Sequence, residues 1–129
     1  MAHDTRAALN LITSKVIRGA LKVHTALGPG LLESAYQACL IYELRLQELD
    51  VKPQVEVPIL YNGVRIETGF RMDLLVQDLV VVELKTVAKV LPIHQAQLLS
   101  YLRLSRRPIG LLINFHVRQL RDGITRMAN

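Results

Sequence analysis

The stretch Arg71-Met72-Asp73-Leu74-Leu75-Val76-Gln77-Asp78-Leu79-Val80-Val81-Val82-Glu83-Leu84-Lys85 decides the fold. Two apolar runs flank the polar Gln77-Asp78 pair, the pattern of two β-strands joined by a tight turn. The second run, Leu79 to Val87, is apolar on consecutive positions, as expected of a strand covered on both faces. Yet it carries Glu83 and Lys85, and the strand period of two puts both on one face. If Asp78 is the centre of a three-residue turn, Asp73 lies opposite Glu83 on that same face. A two-residue turn would shift the pairing by one and separate them. Two carboxylates facing each other on neighbouring strands repel. A fold keeps such a pair when cationic charge stands between them. Lys85 supplies one charge, and a divalent metal on hard oxygen ligands would supply the rest. A lone Glu-x-Lys is usually an ordinary ion pair on a solvent face. Here the neighbours Val80, Val81, Val82 and Leu84 weigh against that, because removing one partner of a buried pair leaves an unpaired charge costing about 3–5 kcal/mol.

Outward from this hairpin, Val55, Val57 and Ile59 alternate with Gln54, Glu56 and Pro58 and predict a first strand. Tyr61-Asn62-Gly63-Val64 is a hairpin signal, with a second strand over residues 64–76. Pro92 opens a helix that Ile93 to Leu104 continue. Pro108 ends it, Ile109 to Phe115 form an apolar fourth strand, and Gly123 to Met127 a fifth. Before the sheet, Leu9, Ile12, Val16, Ala20, Val23 and Leu27 recur at the helical period. Gly28-Pro29-Gly30 stops that helix. A second helix is expected over residues 31–49, with Leu32, Ala35, Tyr36, Cys39, Leu40, Leu44 and Leu46 available to the core. Residues 1–8 precede the first periodic position and are expected to be a flexible tail. The order ααβββαββ predicts an α/β or α+β sandwich, a mixed sheet with helices packed on it.

The 129 residues make one domain, residues 1–129. A chain of this size buries roughly 65–70% of its unfolded surface, enough for a core without staples. Hydrophobic residues are 50% and charged residues 21%, which excludes a disordered chain. Aromatics are 5% with no Trp, so a stacking platform for single-stranded bases is not expected. The net charge of +5 permits a polyanionic partner without demanding one. Cys39 is the single cysteine, which excludes a disulfide framework and fits a cytoplasmic, reducing compartment. Nothing reads as a membrane span or a secretory signal.

Further chemistry lies on the helices. Gln97 and Tyr101 are four apart and share a face. Gln97 can orient a phosphate or water and Tyr101 can donate a hydrogen bond; the plain alternative is a core tyrosine beside an exposed glutamine. His94 and Gln95 read as solvated. Glu33 stands in the first turn of the second helix, where the helix dipole alone explains a carboxylate. Tyr36 shares its face, and His24 lies just before the Gly-Pro-Gly break.

Together these pieces resemble a known family. Gly30, Glu33 and Tyr36, within Leu27-Gly28-Pro29-Gly30-Leu31-Leu32-Glu33-Ser34-Ala35-Tyr36, look like the signature of the GxxExxY proteins, which are grouped with the PD-(D/E)XK nuclease superfamily. Asp73 followed by Glu83-Leu84-Lys85 is similar to that superfamily's core motif, and Gln97 to Tyr101 resembles its Gln-x-x-x-Tyr element. The match covers about residues 15–127. The nominal proline is absent, since Met72 precedes Asp73.

The resemblance implies a restriction-endonuclease-like three-layer α/β core. It implies Mg²⁺ or Mn²⁺ held by Asp73, Glu83 and the Leu84 carbonyl, with Glu33 a further ligand, direct or through water. It implies that Lys85 orients or activates the attacking water and that Gln97 and Tyr101 support Lys85 or the phosphate. The substrate would be DNA, or RNA, gripped by Arg65, Arg71, Lys89, Arg103, Arg106 and Arg107. For the last three a solvated helix end is an equal reading. A homodimer or larger homo-oligomer is the expected assembly. The competing class is a catalytically silent nucleic-acid-binding or assembly protein on the same fold. A Schiff-base role for Lys85 is weaker, because such a lysine needs a depressed pKa and two carboxylates would raise it.

Overall fold

A computed structural model describes the backbone of residues 2–129 and the side chains from Thr5 onward. Helix α1 spans Ala2–Leu27. Its apolar stripe is buried at Leu9, Ile12, Val16, Ala20 and Val23, as the period requires, while Leu27 at its end is partly exposed. Residues 2–8, expected as a tail, are helical and extend α1 toward its N-terminus. Met1 lies outside the described residues.

Gly28 and Gly30 take φ of 68° and 104°, a region open to glycine, so the chain can reverse between the two helices. Helix α2 covers Glu33–Leu46 and buries Tyr36, Leu40 and Leu44. It is shorter than the expected residues 31–49, and Leu32 and Leu46, expected in the core, are exposed. Tyr36 is fully buried, stacks on Phe115 at 4.5 Å between ring centroids and donates its hydroxyl to the Gly28 carbonyl at 2.5 Å. It also accepts the Leu31 N–H at 3.1 Å. One phenol thus ties the glycine turn to the core and fixes where α2 begins.

Seven strands follow rather than five. They are β1 (Val51–Glu56), β2 (Ile59–Tyr61), β3 (Val64–Ile66), β4 (Arg71–Val76), β5 (Val80–Lys85), β6 (Ile109–Asn114) and β7 (Ile124–Ala128). Helix α3 (Pro92–Ser105) joins β5 to β6, and a short 3₁₀ turn (Leu120–Gly123) precedes β7. The expected first strand is interrupted at Val57 and Pro58, where proline removes a ladder donor. The expected second strand is broken before Arg71, near Gly69 with its φ of 77°. The pieces β2 and β3 pair with each other as a separate two-stranded hairpin.

The main sheet has the order β1-β4-β5-β6-β7. Only β5 and β6 run parallel, and α3 makes the crossover that a parallel pair needs. Helices α1 and α2 cover one face, packing on Leu74, Val76, Val80, Val82 and Leu84. On the other face α3 packs on Leu75, Val81 and Leu112 through Leu98, Tyr101 and Leu102. This is the three-layer, mixed-sheet α/β core the sequence predicts. No described helix is long and apolar enough to cross a membrane.

Gly123 marks the tightest approach beyond the sheet: a Cβ there would run into the Asn114 carbonyl oxygen. Gly123→Ala should therefore lower stability by about 1–3 kcal/mol, read as a lower denaturation midpoint at unchanged slope.

Candidate functional site

The β4–β5 register is Leu74↔Val82, Leu75↔Val81 and Val76↔Val80. Gln77 and Asp78 both take positive φ, 53° and 57°, and Leu79 N–H closes the turn on the Val76 carbonyl at 3.0 Å. Leu79 is the extra residue that centres the turn on Asp78, so the next pair along is Asp73 and Glu83, as the three-residue reading requires.

At that point the backbone ladder stops and side chains take over. Asp73 N–H donates to Glu83 Oε1 at 2.9 Å, and Leu84 N–H donates to Asp73 Oδ2 at 2.7 Å. Each carboxylate satisfies an amide that the parted strands leave unpaired. The other edge of β4 is disturbed in the same row. β1 pairs with β4 at Pro53↔Leu74 and Val55↔Met72 but not between them, and the intervening Gln54 takes φ of 53°. Across this row both strands change faces. Val51, Leu74 and Val76 pack toward α1 and α2, whereas Val55, Val57 and Met72 pack toward α3.

Burial dominates the electrostatics. It pushes the Glu83 carboxyl well above the usual carboxylate range, and the charge of Asp73 pushes it further. Asp73 is raised by burial too, opposed first by the Leu84 N–H, then by the Lys85 ammonium, then by hydrogen bonds to Glu83 and Gln54. Both carboxyl groups are thus pushed toward the neutral form, Glu83 the further of the two. Glu33, at the start of α2, is raised by burial and then by the charge of Asp73, with Lys85 acting the other way. Glu33 thus faces the same region.

Lys85 is half-buried on the strand that carries Glu83, and makes no ion pair among the described residues. Gln97 Nε2 donates to the Tyr101 hydroxyl at 3.1 Å. Burial, and then the charge of Glu83, raise the Tyr101 phenol, which places that ring at the carboxylate site. Asp73, Glu83, Lys85, Gln97 and Tyr101 therefore converge, with Glu33 at the margin.

The donor chemistry fits a hard divalent cation in one respect. Two carboxylates on facing strands, in a half-dry site beside Lys85, are hard oxygen donors of the kind Mg²⁺ takes, since it needs only one or two carboxylates. No three His, Cys, Asp or Glu side chains among the described residues gather as a metal-holding group, so Glu33 does not join Asp73 and Glu83 in one direct ligand cluster.

The basic residues divide. Arg71 lies at 3.9 Å from Glu56, and Arg107 is bound to Asp78 at 2.8 Å, at the turn end of β5 away from Lys85. Lys89 is exposed in the segment after β5, and Arg65, Arg103 and Arg106 line a separate cleft. Lys89, Arg71 and Arg107 thus stand apart from that cleft. His24 is a fold element: its Nε2 bonds the Val117 carbonyl at 2.8 Å. His94 caps α3, its Nδ1 accepting the Leu91 N–H at 2.9 Å.

Two contributors escape a reading by sequence. Gln54 reads as one more polar residue in an alternating strand, and nothing local marks its positive φ. Asn114 has a weak signal, as the polar residue in the apolar run Ile109 to Phe115. It is buried beside Lys85 in the β5–β6 register. Its Oδ1 accepts the Val87 and His116 N–H groups and its Nδ2 donates to the Val87 carbonyl. Asn114 thereby anchors the chain leaving Lys85.

With fold and geometry in hand, the sequence profile of the PD-(D/E)XK nuclease superfamily matches residues 10–127. The chain belongs to the PD-(D/E)XK nuclease superfamily. No curated protein and no solved structure matches it.

The acid pair sets a pH test on the metal-free chain. A carboxyl whose pKa is raised by folding stabilises the fold most when protonated, and that contribution fades as pH climbs above about 4.3, the ordinary Glu value, through the folded value. With chelator present, the melting midpoint should fall from pH 5 to pH 8. Glu83→Gln, which keeps an acceptor for the Asp73 N–H, should flatten that fall.

Proposed function

We propose that the chain is a metal-dependent nuclease that hydrolyses phosphodiester bonds in DNA or RNA. The observation that carries the reading is the Asp73–Glu83 pair, set into the sheet with each carboxylate bound to a backbone amide of the neighbouring strand, and Lys85 two residues beyond Glu83. An acid pair raised by burial, and at Glu83 also by the charge of Asp73, is costly to keep ionised, and a divalent cation would relieve that cost.

Asp73 and Glu83, with the Leu84 carbonyl, would hold Mg²⁺ or Mn²⁺. When bound, such an ion polarises a phosphoryl oxygen and acidifies water. Leu84 and Asp73 backbone amides fix the two carboxylates, so the donors need no reorganisation on loading. Lys85, free of any ion pair, can donate to a non-bridging phosphate oxygen and offset the charge that grows as water adds to phosphorus. Its position also suits holding the attacking water. Glu33, at the margin of the site with a raised pKa, can accept a water proton. As the water oxygen bonds to phosphorus, the bond to the leaving sugar oxygen breaks and that oxygen takes a proton. Tyr101, oriented by Gln97, supplies a hydroxyl toward the phosphate. Arg71 and Lys89 offer charge nearby for backbone contacts that add affinity without sequence choice.

Purified protein incubated with plasmid and single-stranded DNA, and with RNA, should cut at least one of them in Mg²⁺ or Mn²⁺ and none in chelator. Glu83→Ala and Lys85→Ala should each lower the rate by about 10²–10⁴-fold. Mn²⁺ should raise the melting midpoint of the parent and not of Glu83→Ala. Nucleic acid bound equally by all three proteins, with no cleavage by any, would move the chain to the silent binding class.

A further inference from the structure

The hairpin β2–β3 stands off the main sheet and exposes Leu60, Tyr61, Val64 and Ile66. Two strands of three residues each are marginal alone. Between this arm and the C-terminal part of α3 lies a cleft of about 350 Å³. Its floor is aliphatic, from Ile59, Leu60 and Leu104, and Arg65, Arg103 and Arg106 line it with no carboxylate among the lining residues. Arg65 is bound to Glu67 at 2.7 Å. Arg103 and Arg106 have no acidic partner among the described residues, unlike Arg71 and Arg107. They sit three residues apart at the end of α3, where Arg106 takes φ of 56°.

Arg103 and Arg106, both unpaired, repel one another across a concave surface, and a bound polyanion removes that cost. The planar fork of arginine fits phosphate in particular. The aliphatic lining suits sugar rings, and no aromatic ring lines the cleft to stack a base. The cleft and the acid pair are linked through α3, which carries Arg103 at the cleft and Tyr101, a ring that feels the charges of Glu83 and Asp73, two residues earlier. Phe70, next to the hairpin in sequence, stands 6.4 Å from Tyr101 between ring centroids. From Gln97 to Arg103 and Arg106 the helix rises about 9 and 13.5 Å at ~1.5 Å per residue. At roughly 3.4 Å per nucleotide of a strand in duplex form, that is about three to four nucleotides.

We propose that the cleft between the β2–β3 hairpin and the end of α3 holds the sugar–phosphate backbone of the cut strand about three to four nucleotides from the scissile bond. The proposal rests on the nuclease reading. It makes the hairpin an arm that grips substrate, and it makes affinity depend on substrate length.

The test reads binding and cutting separately. Glu83→Ala protein is titrated with a dinucleotide and a 12-nucleotide strand over a salt series, with and without Arg103→Gln plus Arg106→Gln. The double change should weaken the 12-mer roughly tenfold and leave the dinucleotide unchanged. It should reduce the slope of log affinity on log salt by about 1.4, at ~0.7 for each single-strand phosphate contact. Arg18→Gln plus Lys22→Gln, removing equal charge from the exposed side of α1, should leave the slope in place, and melting verifies that both variants fold. An unchanged 12-mer affinity and slope overturns the cleft, even if the parent cuts DNA normally. So does a parent that binds no strand of either length. If the arginine pair controls binding while the parent cuts nothing with any metal, the cleft stands as a nucleic-acid site and the nuclease reading falls.

Discussion

Asp73 and Glu83 occupy the row from which β4 and β5 part, and their carboxylates replace backbone partners that parting removes. Glu83 accepts the Asp73 amide and Asp73 accepts the Leu84 amide. Without those bonds two buried N–H groups would stand unsatisfied, at a cost of about 1–3 kcal/mol each. With them, two acids sit side by side where charge is expensive. The same groups are therefore structural acceptors and the source of electrostatic strain. A substitution that keeps an acceptor, as Glu83→Gln does, removes the charge and leaves the bond, whereas one that deletes the side-chain oxygen removes both.

The surrounding elements serve that row. The stacked Tyr36 and Phe115 pair and the Tyr36 hydroxyl fix the glycine turn, which fixes where Glu33 enters from α2. His24 holds the segment after Phe115 through the Val117 carbonyl. Asn114 pins the chain after Lys85 with bonds to both backbone groups of Val87. These contacts lie in or against the core, so the site is precise because its supports are packed rather than because its own groups are rigid.

What the sequence made legible follows from period. A turn centred on Asp78 puts Asp73 opposite Glu83 and a two-residue turn does not; residues apolar on both faces leave that choice open, and the observed register closes it. The α1 stripe and the Gln97–Tyr101 pair follow from helical spacing in the same way. The hairpin β2–β3 did not separate from its neighbours, because its apolar residues alternate like those of a sheet strand while pointing to no core. Gln54 was invisible for a different reason: a positive φ at a non-glycine residue is imposed by tertiary context, here by the row that interrupts both ladders of β4. Glu33 was expected among metal ligands because its spacing in the motif is suggestive. Spacing sets which helix turn a carboxylate occupies and not how far that helix stands from a sheet edge.

The distribution of arginine carries the argument one step further. A net charge of +5 spread evenly would give weak attraction to any polyanion. Here it is not spread evenly. Arg107 is held by Asp78 of the β4–β5 turn, and Arg71 is only loosely paired with Glu56 of β1, at 3.9 Å with both side chains exposed. The unpaired guanidinium groups of Arg103 and Arg106 remain on the α3 side, the side that Tyr101 shares with the acid pair. Charge left unpaired against a concave surface raises the local concentration of phosphate far more than the same charge on a convex one, because low-dielectric walls focus the field. The acids cannot attract a polyanion and must repel one until a cation neutralises them. Under the nuclease reading, attraction and chemistry therefore have to be separated along the surface, and a cleft lined by unpaired arginines at the far end of α3 would provide that separation.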